Sequence, residues 1–161
     1  PSASWPDIAG RLEGRTHVLP VRVYYEDTDF SGVVYHAGYF RFCERGRSDY
    51  LRHTGINHAA LHDGSHKELH DGGGVQAGKL AFAVARIEAD FLGAARIDDL
   101  LEVRTRYTGM TAARILIDQN IRYQDKTLFA ARVTVVLLNE AGRPQRITGT
   151  LARRLGVLLP D

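Results

Sequence analysis

The apolar residues of this chain change their spacing near Lys79, and this change limits what the chain can fold into. Before that point, the segment from about Ala37 to His53 repeats apolar residues every three or four positions, which predicts one amphipathic helix. After it, apolar and polar residues alternate, as in strands with one buried face. The predicted apolar helix face consists of Tyr39, Phe42, Cys43, Gly46 and Tyr50.

Five segments alternate in this way, one before the helix and four after it. Short stretches rich in Gly, Asp and Asn separate the last four, so we expect those strands to form an antiparallel meander. The predicted fold is therefore α+β, with one long helix against a five-stranded antiparallel sheet. Its open edges favour a homodimer that continues the sheet. The segments are 18–25, 83–91, 101–107, 115–123 and 129–138.

Length and charge limit the function classes. A chain of 161 residues fits one domain, which we place at residues 18–161 behind an N-terminal extension, residues 1–17, expected to be a loose lead-in. The net charge is only +2 and the basic residues are scattered, so we expect no nucleic-acid partner. One cysteine, no secretory signal and no long apolar run together favour a cytoplasmic protein without a membrane span.

The segment between the first strand and the helix carries the groups most suited to chemistry. Asp29 lies in a short loop, Gly32 follows it, and His36 stands where the helix begins. A carboxylate, an imidazole and the free N–H groups of a helix N-terminus could together attack a carbonyl group and stabilise the charge on its oxygen. In that case the Asp29 side chain should face a cavity with room for a thioester.

Each of these residues also has a structural interpretation. An Asp before a helix is often an N-cap, and His36 alone would be a satisfied structural histidine. Tyr25 alone would be a strand aromatic packed in the core. Cys43 falls on the apolar helix face and is expected to be a buried thiol without reactivity. Gly46 weakens the helix by roughly 1 kcal/mol relative to Ala, which predicts a close neighbour at that point.

Four histidines repeat every fourth residue after the helix. On one continuous helix they would share a face and could hold a metal ion. Gly64 and the glycines at 72–74 instead favour a solvated loop, placed where it could cover a pocket, and we expect no metal site. The histidines are His58, His62, His66 and His70.

These motifs resemble a known family. The segments 25–29 and 32–36, together with Tyr39 and the run 44–47, are similar to the 4-hydroxybenzoyl-CoA thioesterase family of the hotdog fold. Within that family they look like the Tol–Pal-associated, YbgC-type branch. The resemblance covers about residues 18–150. It departs from the family pattern at Gly46, where Ala is usual, and in the long histidine-rich segment that follows the helix.

The resemblance implies a fold, an activity and a site. The helix would be wrapped by the sheet, and subunits would pair as dimers or tetramers with the active site at their interface. The activity would be hydrolysis of an acyl-CoA or acyl-carrier-protein thioester without a further cofactor, coenzyme A being part of the substrate. The catalytic groups would be Asp29, as nucleophile or general base, with His36, Tyr25 and a backbone amide at or next to His36. Glu44 would approach the pocket.

Two other functions fit the same fold. One is a hotdog dehydratase or hydratase acting on a 3-hydroxyacyl thioester. The other is a non-catalytic module that binds acyl carrier protein. Release of a thiol distinguishes hydrolysis from both alternatives. The sequence leaves the acyl group open between aromatic, short aliphatic and long-chain types.

Overall fold

The computed structural model describes residues 6–66 and 78–161. Helix α2 spans His36–Arg52, within one residue of its predicted bounds. The other helical elements are α1 (Pro6–Ala9), a 3-10 turn (Tyr25–Asp27), α3 (His58–Asp63) and α4 (Gly149–Gly156). The strands are β1 (Arg11–Glu13), β2 (Thr16–Arg22), β3 (Leu80–Phe91), β4 (Leu100–Met110), β5 (Ile115–Tyr123), β6 (Lys126–Asn139) and β7 (Pro144–Gln145).

The predicted α+β layer is confirmed, but the sheet has seven strands rather than five because the short strands β1 and β7 join it, and the strand order differs at one point. Seven strands form one antiparallel sheet in the order β1-β2-β4-β5-β6-β3, and β7 pairs with β6. Strands β4, β5 and β6 form the expected meander, but β3 pairs with β6 rather than with β4. The eight-residue connection 92–99 is long enough to let the chain cross, so sequential strands need not be neighbours.

The expectation of a loose lead-in is wrong for residues 11–17. Strand β1 pairs with β2 across a two-residue turn, and β2 begins at Thr16. All three residues of β1 are exposed, so no apolar alternation marks it. Arg11 and Glu13 form ion pairs with Glu102 and Arg104 of β4, which attach this short strand to the outer face of the sheet.

Helix α2 lies against the sheet with its predicted apolar face buried. Gly46 explains how closely it packs, because a Cβ there would lie 2.8 Å from Thr105 Oγ1 and 2.8 Å from Val103 Cγ1 on β4. The close neighbour predicted from this glycine is therefore present. The contact fixes the helix relative to the sheet, and with it the position of the helix N-terminus.

Strand β3 ends the sheet. It has twelve residues, it pairs with β6 on one side, and its other edge meets no strand of the described chain. Val84 and Phe91 on this strand are exposed. A long open edge with apolar residues is the kind of surface that pairs with another strand.

Candidate active site

The loop that carries Asp29 is a tight hairpin. Gly32 N–H donates to the Asp29 carbonyl at 3.0 Å, and the Asp29 amide donates to the Val33 carbonyl at 3.0 Å. Gly32 has φ of 79°, a left-handed conformation that favours glycine. Asp at the first position and Gly at the fourth are typical of such a turn. The hairpin holds Asp29 at a fixed place beside the entry to α2.

Asp27 stabilises the base of this hairpin. Its carboxylate accepts a hydrogen bond from the Tyr24 amide at 2.9 Å, and its carbonyl accepts one from the Tyr35 amide at 3.0 Å. The side chain is 5% exposed. Asp27 is thus a structural acid, and it joins the two ends of the loop.

The Asp29 carboxylate is held as an anion. Ser31 donates to Oδ1 from both its hydroxyl, at 2.5 Å, and its amide, at 2.9 Å. These hydrogen bonds hold the pKa of the Asp29 carboxyl below its usual range, the Ser31 hydroxyl being the larger cause. Both bonds share Oδ1, so Oδ2 is the oxygen left to meet a substrate or a water molecule.

Asp29 is not the N-cap of α2. Tyr35 is the N-cap, it makes no side-chain capping hydrogen bond, and the first helical turn contains no acidic residue. The amides of His36 and Ala37 donate to no atom of the described residues. The positive end of the helix is therefore open to a ligand atom, as an oxyanion site requires.

A cluster of aromatic rings supports the helix start. Tyr39 stacks on Phe129 with 5.3 Å between ring centroids, and its hydroxyl accepts from the Ala95 amide at 3.0 Å and donates to the Gly93 carbonyl at 3.3 Å. Phe91 meets the Tyr39 ring edge to face at 5.9 Å. These contacts bind the helix to the connection between β3 and β4, so its first turn is rigidly placed.

His36 and Tyr25 lie on the surface near this loop. The His36 ring, at the first helical position, lies 4.3 Å from the Tyr35 ring and 6.3 Å from the Phe91 ring, measured between centroids. Tyr25 is 85% exposed in the 3-10 turn, so it is not a core aromatic, and it makes no side-chain hydrogen bond to Asp29.

The main cavities formed by residues 6–66 and 78–161 are lined by residues other than Asp29, so the expected cavity beside it is not formed by the described part of the chain. His36 and Tyr25 are instead exposed, Asp29 is partly exposed, and Phe30 at the hairpin tip is fully exposed. A partly open cavity of about 140 Å³ lies elsewhere, against the middle of α2. The Asp29 loop and this cavity therefore lie apart in the described chain.

That cavity has one polar wall. Ser48 Oγ donates to Glu44 Oε1 at 2.6 Å and lies 2.9 Å from Nε2 of His58 on α3. Ser48 is 7% exposed, although the helical pattern places it on the polar face. The burial arises because α3 folds back over it, which no local pattern predicts. The apolar lining consists of Leu51, Phe82, Ala83, Val84, Tyr107, Ile115, Ile117 and Val135.

A basic group completes this region. Arg47 also lines the cavity and donates to Gln119 Oε1 at 2.8 Å, while Gln119 donates to the Cys43 carbonyl and to Thr105 Oγ1. Burial lowers the pKa of the Arg47 guanidinium. Cys43 itself is 2% exposed, and burial raises its pKa to about 12. It is an inert core thiol, as predicted.

Of the three described histidines, His58 and His62 lie on α3 and His66 lies outside it, so they do not all share one helix face. Helix α3 ends at Gly64, which has φ of 76°. His62 is exposed, whereas His66 is buried with Nε2 2.9 Å from the Gly78 carbonyl. His70 and the glycines at 72–74 lie outside the described residues. Residues 6–66 and 78–161 contain no group of three metal-ligating side chains.

Sequence reasoning missed Ser31 and Ser48. Ser31 had a detectable signal, because a serine two residues after an aspartate in a turn often donates to its carboxylate. Ser48 had none, since its partner His58 belongs to the next helix.

Comparisons with known proteins agree on one family. The sequence matches the Thioesterase-like superfamily over residues 23–152. It is 39% identical over 121 residues to the acyl-CoA thioester hydrolase YbgC of Escherichia coli O6:H1, covering 74% of this chain and 80% of that protein. It is 40% identical over 117 residues to the acyl-CoA thioesterase YbgC of Haemophilus influenzae, covering 73% of this chain and 75% of that one.

A solved structure agrees with these sequence matches. The probable thioesterase from Bartonella henselae superimposes with a TM-score of 0.74 at 42% identity, covering 83% of this chain and 99% of that one. In the part of the chain that the structure describes, no helix is long and apolar enough to cross a membrane.

Proposed function

Because this chain belongs to the Thioesterase-like superfamily and is a thioester hydrolase, we propose that it cleaves acyl-CoA with Asp29 as the reacting carboxylate. One observation supports the assignment. The hairpin holds the ionised Asp29 carboxylate close along the chain to the start of α2, where no side chain caps the helix. The products are a free carboxylic acid and coenzyme A.

Asp29 acts through Oδ2. Either this oxygen attacks the thioester carbonyl carbon and forms an anhydride that water then cleaves, or it removes a proton from the attacking water. In both routes the C–S bond breaks and the thiolate takes up a proton. The Ser31 hydrogen bonds hold Oδ1 in place and keep the group ionised at neutral pH.

The first turn of α2 stabilises the oxygen of the tetrahedral intermediate. The amides of His36 and Ala37 are unpaired and lie at the positive end of the helix dipole. One such donor is worth roughly 3 kcal/mol of transition-state stabilisation, judged from removal of similar donors. The His36 imidazole orients water or protonates the departing thiolate in this proposal.

Two copies of the chain complete the site. An antiparallel pairing of β3 with the same strand of a second copy, centred near its midpoint, would place the Phe91 end of one strand beside the Leu80 end of the other. Phe91 contacts His36, whereas Phe82 and Val84 line the cavity. The loop of one protomer would then face the cavity of its partner, and a homodimer or homotetramer follows.

Exposed aromatic residues support this arrangement. Tyr25, Phe30 and Tyr35 are 85%, 106% and 52% exposed around the reactive loop. Contiguous exposed apolar groups of this size are typical of interaction surfaces. In a homodimer they would be covered by the second copy, which would also exclude water from Asp29.

The test is the variant Asp29→Asn. Asn keeps the size and can still accept from Ser31, so we expect the same fold and melting temperature, with thiol release from acyl-CoA reduced about 10³-fold. Thiol release is followed with a disulfide reagent across chain lengths and with benzoyl-CoA. The matched control is Asp63→Asn, which changes an aspartate in a similar turn with Ser65 at the end of α3.

Wild-type rates in the Asp29→Asn variant would contradict the assignment. Enoyl absorbance without thiol release would indicate the dehydratase or hydratase alternative. Complex formation with acyl carrier protein, insensitive to Asp29→Asn and without thiol release from any substrate, would indicate the binding module.

A further inference from the structure

The connection between β3 and β4, residues 92–99, is fastened to the sheet at both of its ends. It has to cross to a distant strand, because β3 pairs with β6 rather than with β4. Near its start, the Gly93 amide donates to the carbonyl of Leu128 on β6 at 3.0 Å. Near its end, the Asp98 amide donates to the carbonyl of Val23, directly after β2, at 3.0 Å. The middle of the connection is therefore held at a defined place beside the reactive loop.

The middle of this connection is bonded to the hairpin that carries Asp29. The Val34 amide donates to the Ala95 carbonyl at 2.8 Å, and Val33 pairs with Arg96 in an antiparallel bridge. The Val33 carbonyl in turn accepts a hydrogen bond from the Asp29 amide at 3.0 Å. The position of Asp29 therefore depends on where the Ala95 peptide lies.

Tyr39 binds the same peptide from the side of helix α2. Its hydroxyl accepts a hydrogen bond from the Ala95 amide at 3.0 Å and donates one to the Gly93 carbonyl at 3.3 Å. Burial raises the pKa of the Tyr39 hydroxyl, which keeps it protonated and able to donate. Ala95 is 0% exposed, so without this hydroxyl its amide would be left buried and unpaired. Ala95 thus joins α2 through its amide and the Asp29 hairpin through its carbonyl.

This double attachment matters because the proposed reaction needs two groups at a fixed separation. One is the Asp29 carboxylate, and the other is the set of unpaired amides at the start of α2. The chain itself joins them through residues 30–35, and the path through Ala95 and Tyr39 is a second link between them. A misplacement of about 1 Å can lower a rate roughly 10²-fold, so a second link has a direct effect on catalysis.

We propose that Tyr39 is a positioning residue, whose hydroxyl fixes the Asp29 carboxylate relative to the amides of α2 by way of the Ala95 peptide. Tyr39 is 3% exposed and acts through Ala95, so it neither touches the substrate nor transfers a proton. This inference rests on the proposed function, because the separation of carboxylate and amides matters only if both act on the same thioester.

The test is the variant Tyr39→Phe, assayed with the acyl-CoA that the wild type hydrolyses fastest. This change removes one oxygen atom and keeps the ring that stacks on Phe129 and meets Phe91 edge to face. We expect kcat to fall about tenfold or more, with KM within about twofold, because misplaced groups impair the chemical step rather than binding. The acidic limb of the kcat/KM profile should stay in place, since the Ser31 bonds that lower the Asp29 pKa lie within the hairpin itself.

Tyr50→Phe is the matched control. Tyr50 also lies on α2, is 1% exposed, and donates from its hydroxyl to the Arg15 carbonyl at 2.7 Å. Its ring stacks on His17, so the change again removes one buried hydrogen bond and keeps a ring contact. Both variants should lose a similar amount of melting temperature, but kcat in Tyr50→Phe should stay within about twofold of wild type.

Hydrogen exchange of the whole protein checks the link without measuring activity. In Tyr39→Phe the amides of Ala95 and Val34 should exchange about tenfold faster than in wild type, because both bonds to the Ala95 peptide weaken together. In Tyr50→Phe the same two amides should exchange at the wild-type rate.

Several outcomes would overturn the positioning role. Unchanged kcat in Tyr39→Phe, or equal losses of kcat in Tyr39→Phe and Tyr50→Phe, would show that the hydroxyl supports stability only. A displaced acidic limb with a normal plateau would show an effect on the Asp29 pKa instead of its position. Unchanged exchange at Val34 would remove the link even if the wild type hydrolyses acyl-CoA normally. A wild type that releases no thiol from any acyl-CoA would overturn the proposed function itself, whatever the exchange rates.

Discussion

The start and the middle of helix α2 differ in almost every physical respect. At the start, an ionised Asp29 and unpaired amides lie on an open surface among exposed aromatic rings. At the middle, eight and twelve residues after His36, Glu44 and Ser48 border a partly open, largely apolar cavity. The first region therefore has the proposed catalytic groups but no substrate cavity. The second has a cavity but no group placed to polarise a carbonyl.

This difference shows how the chain divides its tasks. Electrostatic stabilisation needs donors that nothing else satisfies, so the helix start cannot be packed against its own chain. Selection of an acyl group needs an enclosed, close-fitting surface. One short domain meets both demands only if another copy brings the two regions together.

The largest expected effect comes from variants that disable one of the two regions. Asp29→Asn removes the reactive group of one region, and Ser48→Leu fills the cavity of the other, so each variant alone should lose nearly all turnover of butyryl-CoA. Co-expressed with different tags, the two should regain about a quarter of wild-type activity, because half of the pairs are mixed and each mixed pair has one intact site.

The control for this complementation is a mixture of two Asp29→Asn preparations with different tags, which should stay inactive. Mixed pairs that form but recover no activity would show that loop and cavity of the same chain work together. Light scattering that gives only the monomer mass would contradict the shared site altogether.

The second prediction sharpens the role of the helix start. His36→Ala removes the imidazole but keeps the amide, whereas His36→Pro removes both. Tyr35 has φ of −60° and ψ of 138°, which suits a residue before proline, and proline is well tolerated at the first helical position. We expect His36→Pro to lose about 10²-fold more kcat than His36→Ala, if the His36 amide is the oxyanion donor.

Circular dichroism should confirm equal helix content in both variants. Equal kcat values would show that the His36 amide is not the oxyanion donor and would leave the Ala37 amide as the candidate. A variant that removes the Ala37 amide would then have to lower kcat for the helix start to have a role in the reaction.

The smallest expected effect concerns pH. The Asp29 pKa is lowered by Ser31, and activity requires the ionised carboxylate, so activity is full above this pKa and is lost as pH falls through it. Ser31→Ala raises the pKa. The acidic limb of the kcat/KM profile should therefore move to higher pH, with little change in the plateau above neutrality.

Ser65→Ala is the matched control for this shift. Ser65 donates in the same way to Asp63 and lowers the pKa of that carboxyl, but it belongs to the turn after α3 and not to the Asp29 loop. An acidic limb that moves equally in both variants, or in neither, would exclude Ser31 as the cause.

Much of the fold follows from local pattern. The spacing of the apolar residues predicted the bounds of α2 to within one residue and the positions of the long strands to within a few residues. It does so because each element must bury one face. Gly46 predicted a close neighbour, since a helix accepts a glycine at a cost that tight packing can offset. Strand β1 escaped prediction because all its residues are exposed.

The site divides in the same way. The sequence by itself determined a carboxylate in a tight turn before a helix, because residues so close along the chain meet through local geometry. Only the tertiary structure decided that α3 buries Ser48 against His58, that β3 ends the sheet, and that Tyr25 points to solvent. Those features depend on contacts between segments that are distant in sequence. The free energies of such contacts cannot be inferred from the spacing of residues within one segment.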